Sequence, residues 1–556
     1  MSNNIFGQLS NATKALTAHR YGVTTAGNNM ANVNNPEYAR QRVVIGEDGV
    51  VQTLAGPQGT GVEVQGFEHM RDLVLDREVM RETSLNASLE AQQSALAKAE
   101  SAIGQEITRS GDSAFIDGAT SDGGGSGGIA ETLNNFFNAM HSLSANPGSD
   151  AEKEAMLQKA QILTEKLNVT AERFTDLQDD LELQISTDLG EANQLIEEIA
   201  RLNTEIARAE STQQGQALSL RDHRQALLED LSSKMQVRSE EIPGSSGQIR
   251  VYIPTVGGKS PTIDLVERGR FKQVEMDLSG ISPKFGIVDE NVEIDVRGGS
   301  IHGSIQAMEG PISTYARGLD DLALALATEV NGLYTGGDVT RSNFFNETSV
   351  ASIAETIATE LGESVSASDL QTAIDADGST DVDGQVAAAA AYIVANTTTS
   401  SSASTIEGMI SSVRRKELSA ANIRLDDGLS ASTMRTTNDS AQEKGDGSLI
   451  LAIAELDETR LDGSSSRGSD LQNRTMSSFY RSIVTDMGES SAKVESRLDD
   501  EKIVFNLLKE QRDSVSGVSL DEEMTDMMKF QRAYEATGKL IRAIDEMLDV
   551  IVNRLI

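Results

Sequence analysis

Residues 519–556 read SLDEEMTDMMKFQRAYEATGKLIRAIDEMLDVIVNRLI, and the spacing within this stretch decides how the chain is built. Met524, Met527, Gln531, Tyr534, Gly538, Ile541, Ile544, Leu548, Ile551 and Leu555 recur at steps of three and four, which places them along one side of a helix. Residues 1–36, MSNNIFGQLSNATKALTAHRYGVTTAGNNMANVNNP, repeat the pattern through Ile5, Leu9, Ala12, Leu16, His19, Val23, Ala26, Met30 and Val33. So narrow a stripe is a coiled-coil seam rather than the broad face of a globular helix. Chain termini usually fray, so two ends of this kind are expected to bury their seams against each other or against a neighbouring molecule.

The boundaries of both helices are legible. Pro36 disfavours helical geometry at the residue before it, so the first helix should stop around Asn32 to Asn35. Ser519 and Glu522 have capping-box spacing, and Asp521, Glu522, Glu523 and Asp526 put negative charge at the positive end of the helix dipole. Gly517 precedes this start as a hinge.

With 556 residues the chain exceeds one ordinary core, and several domains are expected. Its formal charge of −38 would repel a nucleic acid or an anionic membrane surface. Aromatic residues are 4% and Trp is absent, which suits helices packed through Leu, Ile, Ala and Met. Without cysteine, disulfides, thiolate metal sites and cysteine nucleophiles are excluded. Met1 to Gly7 carries no basic segment before an apolar run, so no cleaved signal is expected, and Val386 to Ala395 is too short to cross a bilayer.

The fold class expected is mainly α with inserted β: an elongated multi-domain protein with terminal coiled-coil helices, a long-helix body and a small β domain. Arg42 to Ile45, Val50 to Leu54 and Gly59 to Phe67 read as a hairpin or ribbon, and Leu85, Leu89, Leu96 and Ile103 as one side of a helix from about Arg71 to Glu106. From Met156 to Ala209 a three-four rhythm through Leu163, Leu167, Phe174, Leu177, Leu181, Leu195, Ile199 and Ile206 predicts one unbroken, rod-like helix of about 80 Å. A helix over Leu220 to Met235 is followed by strand-like alternation in Ile249, Val251 and Ile253. Helical spacing returns over Ile305 to Leu333 and Ser477 to Ser514. The domains expected are residues 1–34 with 519–556 for polymerisation; 35–236, 300–345 and 405–518 as the long-helix body; 237–299 as the β insertion; and 346–404 as a variable Ala/Ser/Thr/Asp-rich insertion with a small core or partial disorder.

No motif signals catalysis, and no cofactor or metal is expected. The five histidines are scattered, His19 reading as a polar packing residue. Gly123, Gly125 and Gly128 spell a dinucleotide fingerprint without the strand it requires. Asp375, Asp377, Asp381 and Asp383 do not keep the EF-hand order, so a solvated acidic loop is the better reading. Met524, Met527, Met528 and Met547 read as helix packing whose partner lies in this subunit or another.

Ala15-Leu16-Thr17-Ala18-His19-Arg20-Tyr21-Gly22 followed by Gly27-Asn28-Asn29-Met30-Ala31-Asn32-Val33-Asn34-Asn35-Pro36-Glu37-Tyr38 closely resembles the N-terminal signature of bacterial flagellar rod, hook and hook-associated proteins. Those more often carry Thr-Pro-Gly-Tyr where this chain has Asn35-Pro36-Glu37-Tyr38, which questions the turn geometry after Pro36. Asn134-Asn135-Phe136-Phe137, Leu220-Arg221-Asp222-His223-Arg224, Ser516-Gly517-Val518-Ser519-Leu520-Asp521-Glu522-Glu523-Met524 and Phe530-Gln531-Arg532-Ala533-Tyr534 look like the hook-associated branch. The resemblance implies a structural subunit at the junction of hook and filament, not an enzyme. Its implied partners are other copies along the flagellar axis, the hook protein, the next hook-associated protein and an export chaperone at the C-terminal region. It implies export through the flagellar type III apparatus to the extracellular flagellum. It also singles out Asn28, Asn32, Asn34, Pro36 and Tyr38 as the family turn. A hook or rod subunit is the alternative, and a secreted enzyme or adhesin on flagellar termini the more distant one.

Overall fold

A computed structural model describes the chain except residues 1, 54–55, 105–127, 212–216, 254–262, 278–282, 289, 337–341, 362, 378–381, 397–400, 439–444, 462–472 and 555–556. The side chains of 2–4, 51–53, 57–58, 290–291, 382–383 and 551–554 are likewise outside the description. Most of the glycine-rich segment from Ser110 to Gly128, and with it Gly123 and Gly125, lies outside the described residues. So does Asp381 of the acidic loop. The chain is mainly helical with small antiparallel sheets, and it divides into two compact units.

The first unit comprises residues 1–92, 183–305 and 495–556. It holds α1 (Ser2–Ala31), α5 (Leu218–Lys234) and α14 (Leu520–Arg554), with parts of α2 (Leu73–Ile103), α4 (Asp150–Ala209), α6 (Gly299–Ala307) and α13 (Met476–Ser516). After α1 the chain turns into β1 (Gln41–Glu47), which pairs antiparallel with β4 (Val62–His69) from Gln41↔His69 to Glu47↔Val62 and shifts register between Val44 and Ile45. Between them β2 (Val50–Thr53) and β3 (Gly56–Gly59) form a second hairpin, so the expected ribbon is a doubled one. Residues 238–294 build two sheets. One runs in the order β5 (Arg238–Glu241), β6 (Ile249–Ile253), β7 (Ile263–Glu267), β8 (Arg270–Phe271); the other in the order β11 (Glu290–Ile294), β10 (Lys284–Ile287), β9 (Val274–Asp277). Val251, Leu265, Val266, Val274, Phe285 and Ile287 are buried beneath them.

Two asparagines tie these strands to α4. Asn193 donates to the Val274 carbonyl and accepts from its N–H, both at 2.8 Å, as a neighbouring strand would. Asn203, fully buried, donates to the carbonyls of Ile249 and Arg268 at 2.8 Å and accepts from Arg224 Nη1 at 2.8 Å. Backbone groups at a buried sheet margin must be paired, and these side chains complete the pairing from a helix.

The second unit comprises residues 93–182 and 306–494. Here α3 (Ile129–Ala145), α7 (Ser313–Thr335) and α12 (Ser448–Ala454) meet around Phe136, Phe137, Tyr334, Phe344 and Phe345, rings 5.0–6.4 Å apart and mostly edge to face. Phe174 stacks on Tyr315 at 4.5 Å, and the Tyr315 and Tyr480 hydroxyls are 3.3 Å apart. Residues 350–417 form α8 (Val350–Glu360), α9 (Ala367–Asp377), α10 (Val382–Asn396) and α11 (Ala403–Glu417), four helices sharing a core of Ile353, Ile357, Leu370, Ile374, Ile393, Ile406 and Ile410. Small residues such as Ala354, Ala358, Ala389 and Ala390 complete it, so an alanine-rich composition supports close packing here. Arg414, 3% exposed, joins this layer to Glu347 at 2.6 Å and Thr328 at 2.8 Å.

Two expected faces differ in detail. On α2, Leu89, Leu96 and Ile103 are buried, but Leu85 is exposed. On α4 the buried line continues from Leu181 through Ile185, Leu189, Ala192 and Ile196 to Ile199, and Leu195 is only half-buried. Ile199 and Ile206, further along the same rhythm, are buried as expected, so the departure at Leu195 is local.

Candidate assembly interface

α1 and α14 pack against each other. Asn29 meets Glu523 and Gly22 meets Phe530, so the two helices run antiparallel. Along α1 the small residues Ala12, Ala18, Gly22, Thr25 and Ala26 are buried, and at Gly22 the approach to α14 is direct. A Cβ at Gly22 would lie 2.6 Å from the Phe530 ring, so the ring rests on bare backbone there. His19 stands beside the same ring at 6.4 Å between centroids, with burial holding its imidazole below the usual range. Tyr21 points the other way and meets Phe67 of β4 edge to face at 5.7 Å.

At one end the pair is fixed by a polar knot that the signature sequence encodes. Asn29 donates to the Gln41 carbonyl at 2.9 Å and to Glu523 Oε2 at 3.0 Å; its own carbonyl accepts from the Tyr38 hydroxyl at 2.8 Å and the Gln41 N–H at 3.1 Å. Arg40 donates through Nε to Glu523 Oε1 and through Nη1 to Glu522 Oε2, each at 2.7 Å, and its N–H bonds the Ser516 carbonyl at 2.9 Å. Burial opposes the charge on Arg40, but Glu523 and Glu522 outweigh it and hold the guanidinium above its ordinary range. Burial, with Asp222 and Glu523 nearby, pushes the Tyr38 hydroxyl up to about 12. The hydroxyl therefore remains a donor at any physiological pH.

The family turn is formed by backbone and side chain together. Asn32 donates to the Asn28 carbonyl at 2.9 Å, the Tyr38 N–H closes on the Asn35 carbonyl at 3.2 Å, and the Glu37 N–H bonds Asn35 Oδ1 at 3.1 Å. Glu37 does not adopt a positive φ, so the turn through Pro36 has no need of a glycine there. Asn28, Asn34 and Pro36 are exposed, Asn32 and Tyr38 half-buried.

The seam positions fall in three groups. Ile5, Leu9, Leu16, Val23 and Met30 on α1, and Met527, Ile541 and Leu548 on α14, are half-buried; Ile544 is buried. Met524 and Tyr534 stay 47% and 39% exposed, and Gln531 is exposed as well. The side chains of Ile551 and Leu555 lie outside the described residues. From Ile541 onward the predicted seam coincides with the covered side. Before it the covered side runs through Glu523, Met527, Phe530, Ala533 and Thr537, one position round the helix. The predicted capping box is also redirected, since Glu522 reaches Arg40 instead of turning back to Ser519.

Sequence reading passed over Arg40 and took Gly22, Asn29, Glu523 and Phe530 only as members of the family motifs or of the helix start, not as contacts between the two ends. A small-residue repeat at Ala18, Gly22 and Ala26 is the signal that could have shown the close approach. The Leu220–Arg224 motif supports the same region: Asp222, on α5, accepts from Arg71 Nε at 3.2 Å and lies 3.2 Å from His69 Nε2. Arg512 Nη1 bonds both oxygens of Glu229 at 2.9 Å.

On its outer side α14 presents Met524, Met528, Tyr534, Leu540, Met547 and Val550 to solvent, and α1 presents Phe6. Three of the four clustered methionines are thus uncovered. Among the described residues no group of three or more His, Asp or Glu is placed to hold a metal, and no helix is long and apolar enough to cross a membrane.

The sequence profile of the flagellar hook-associated protein FlgK helical domain matches residues 115–345, and that of the flagellar basal body rod FlgEFG protein C-terminal matches residues 509–555. Flagellar hook-associated protein 1 of Bacillus subtilis (strain 168) is 24% identical over 100% of this chain and 99% of its own. The proteins of that name from Salmonella typhimurium and Escherichia coli (strain K12) are 21% and 22% identical, each over 98% of this chain and 99% of its own. The solved flagellar hook junction protein FlgK from Burkholderia pseudomallei overlaps 49% of this chain and 47% of its own, at TM-score 0.40 and 17% identity. Two profiles at separate places and end-to-end similarity under one name make the chain a relative of flagellar hook-associated protein 1, within the flagellar rod, hook and hook-associated family.

Proposed function

We propose that this chain is a structural subunit of the bacterial flagellum at the junction between hook and filament, built in through its paired terminal helices. The observation that carries the reading is the end-to-end similarity to hook-associated protein 1 together with an α1–α14 pair that leaves large apolar side chains exposed. Exposed Met524, Met528, Tyr534 and Leu540 are apolar groups, standing among charged ones, that water disfavours and that neighbouring subunits, hook protein or the next hook-associated protein would cover. The residues half-buried within the pair, from Ile5 to Met30 and from Met527 to Leu548, are then the inner part of the same interface. Each terminal helix draws most of its stability from packing of its apolar side, so its ordering is completed by addition to the axis. Before assembly an export chaperone occupies the C-terminal helix, and a chain without cysteine passes unfolded through the flagellar export apparatus.

The test separates pairing from assembly. Met524→Asp with Tyr534→Asp changes the outer side while leaving the Asn29, Arg40 and Glu523 bonds in place. The variant should remain a folded monomer that no longer forms hook–filament junctions in a strain lacking its own copy. Junctions formed as well as by the unmutated chain would sink the reading, as would junctions formed after deletion of residues 1–33 or 520–556.

A further inference from the structure

Within the first unit α2 and α13 are joined by the attraction of Lys502 Nζ for Glu90, 3.4 Å apart, and by a contact of a different kind. Glu82 on α2 is buried at 5% exposure, and its Oε1 accepts from Arg81 Nε at 2.9 Å and Nη2 at 2.6 Å. The carboxyl of Glu501 on α13 stands at hydrogen-bonding distance from that of Glu82, and Glu501 Oε1 is buried without meeting any donor. Two ionised carboxylates bring acceptors alone. The pair can bond when one of them carries a proton, and partial burial disfavours the state in which neither does.

We propose that Glu82 and Glu501 form a proton-operated clamp between α2 and α13, closed when the pair shares one proton and loosened when that proton is lost to solvent. Glu501 is the member that holds the proton: burial and Glu82 push it up to about 7, against the pull of Arg81 and Arg497. Burial raises Glu82 too, but the bond from Glu501 and the Arg81 guanidinium outweigh it and keep that carboxyl below its usual range. Glu78 faces the pair through Arg81, which it meets at 2.8 Å. The position gives the clamp its consequence. α13 continues from Glu501 to Ser516, and Gly517 joins it to the segment that opens α14, so loosening acts on the helix that carries α14. This inference does not rest on the proposed place in the flagellum.

A raised carboxyl stabilises the folded form fully below its unfolded value of 4.5 and loses that contribution as pH rises through about 7. Between those limits the folded form holds one more proton than the opened form, so opening becomes easier by up to about tenfold per pH unit, then levels off. Hydrogen exchange of α2 and α13 peptides in the full chain, corrected for the intrinsic pH effect and followed from about pH 5 to about pH 8, reads this directly. The unmutated chain should show the rise. Glu501→Gln, whose amide donates at every pH, should flatten it, and Glu82→Gln, which removes the second acidic charge, should do the same. A rise unchanged in both variants, or no rise in the unmutated chain, would overturn the proposal. Should Glu501→Gln fail to fold, Glu82→Gln and the unmutated profile decide it.

Discussion

Asn29 offers two N–H donors and two acceptor lone pairs, and all four are used, on three different segments of the chain. Glu523, 3% exposed, completes the arrangement by taking one bond from Asn29 and another from Arg40. Removing Glu523 leaves a buried amide donor unmet and the Arg40 guanidinium short of one partner. Arg40 is 19% exposed and Glu522 remains, so part of that loss is recovered. Glu523→Ala should therefore weaken α1–α14 pairing by about 2–3 kcal/mol, measured as lost exchange protection in α1. Glu523→Gln, which can still meet Asn29, should lose less. None of this was legible in the hydropathy pattern, because Asn29 and Glu523 are polar and a seam is found by its apolar members. The turn around Pro36 was legible, since the asparagines and the proline act locally.

At the scale of the helix, the sequence displayed both stripes but not which residues lie at their centre. A step of three or four does not distinguish Met524 from Glu523, or Gln531 and Tyr534 from Phe530 and Ala533, because each pair differs by one position round the helix. The close approach was hidden for a similar reason: Gly22 adds no hydrophobic weight, yet it lets Phe530 lie against the backbone. Gly22→Val should drive that ring away and part the helices, lowering the melting temperature of the terminal pair while the buried aromatic cluster of the second unit melts as before. Gly22→Ala should act in the same direction and less strongly. An unchanged melting profile for Gly22→Val would contradict the contact. On α4 the long helix itself was plain from its rhythm, whereas the roles of Asn193 and Asn203 depend on strands distant in sequence.

For the whole molecule the dominant quantity is the net charge of −38. Copies brought side by side repel one another, and burial of the exposed apolar side chains of α14 must overcome that repulsion. Screening shortens its reach from about 30 Å at about 0.01 M salt to about 8 Å at about 0.15 M. Self-association should thus strengthen with salt over this range, as measured by sedimentation, and an association that weakened instead would mark charge pairing rather than apolar burial as the driving term. The sequence disclosed the mainly α class with inserted β, while the grouping of its segments into two units required contacts between residues hundreds of positions apart. The notch at Gly22 that seats Phe530 marks one level of the pair, since a slip of one turn, about 5.4 Å, would bring that ring against Ala18 or Ala26. The asparagine knot at its inner end works as the zero of a ruler. Every level of the pair out to Ile5 and Leu548 is counted from Asn29, so the axial position of the tips is set at the root.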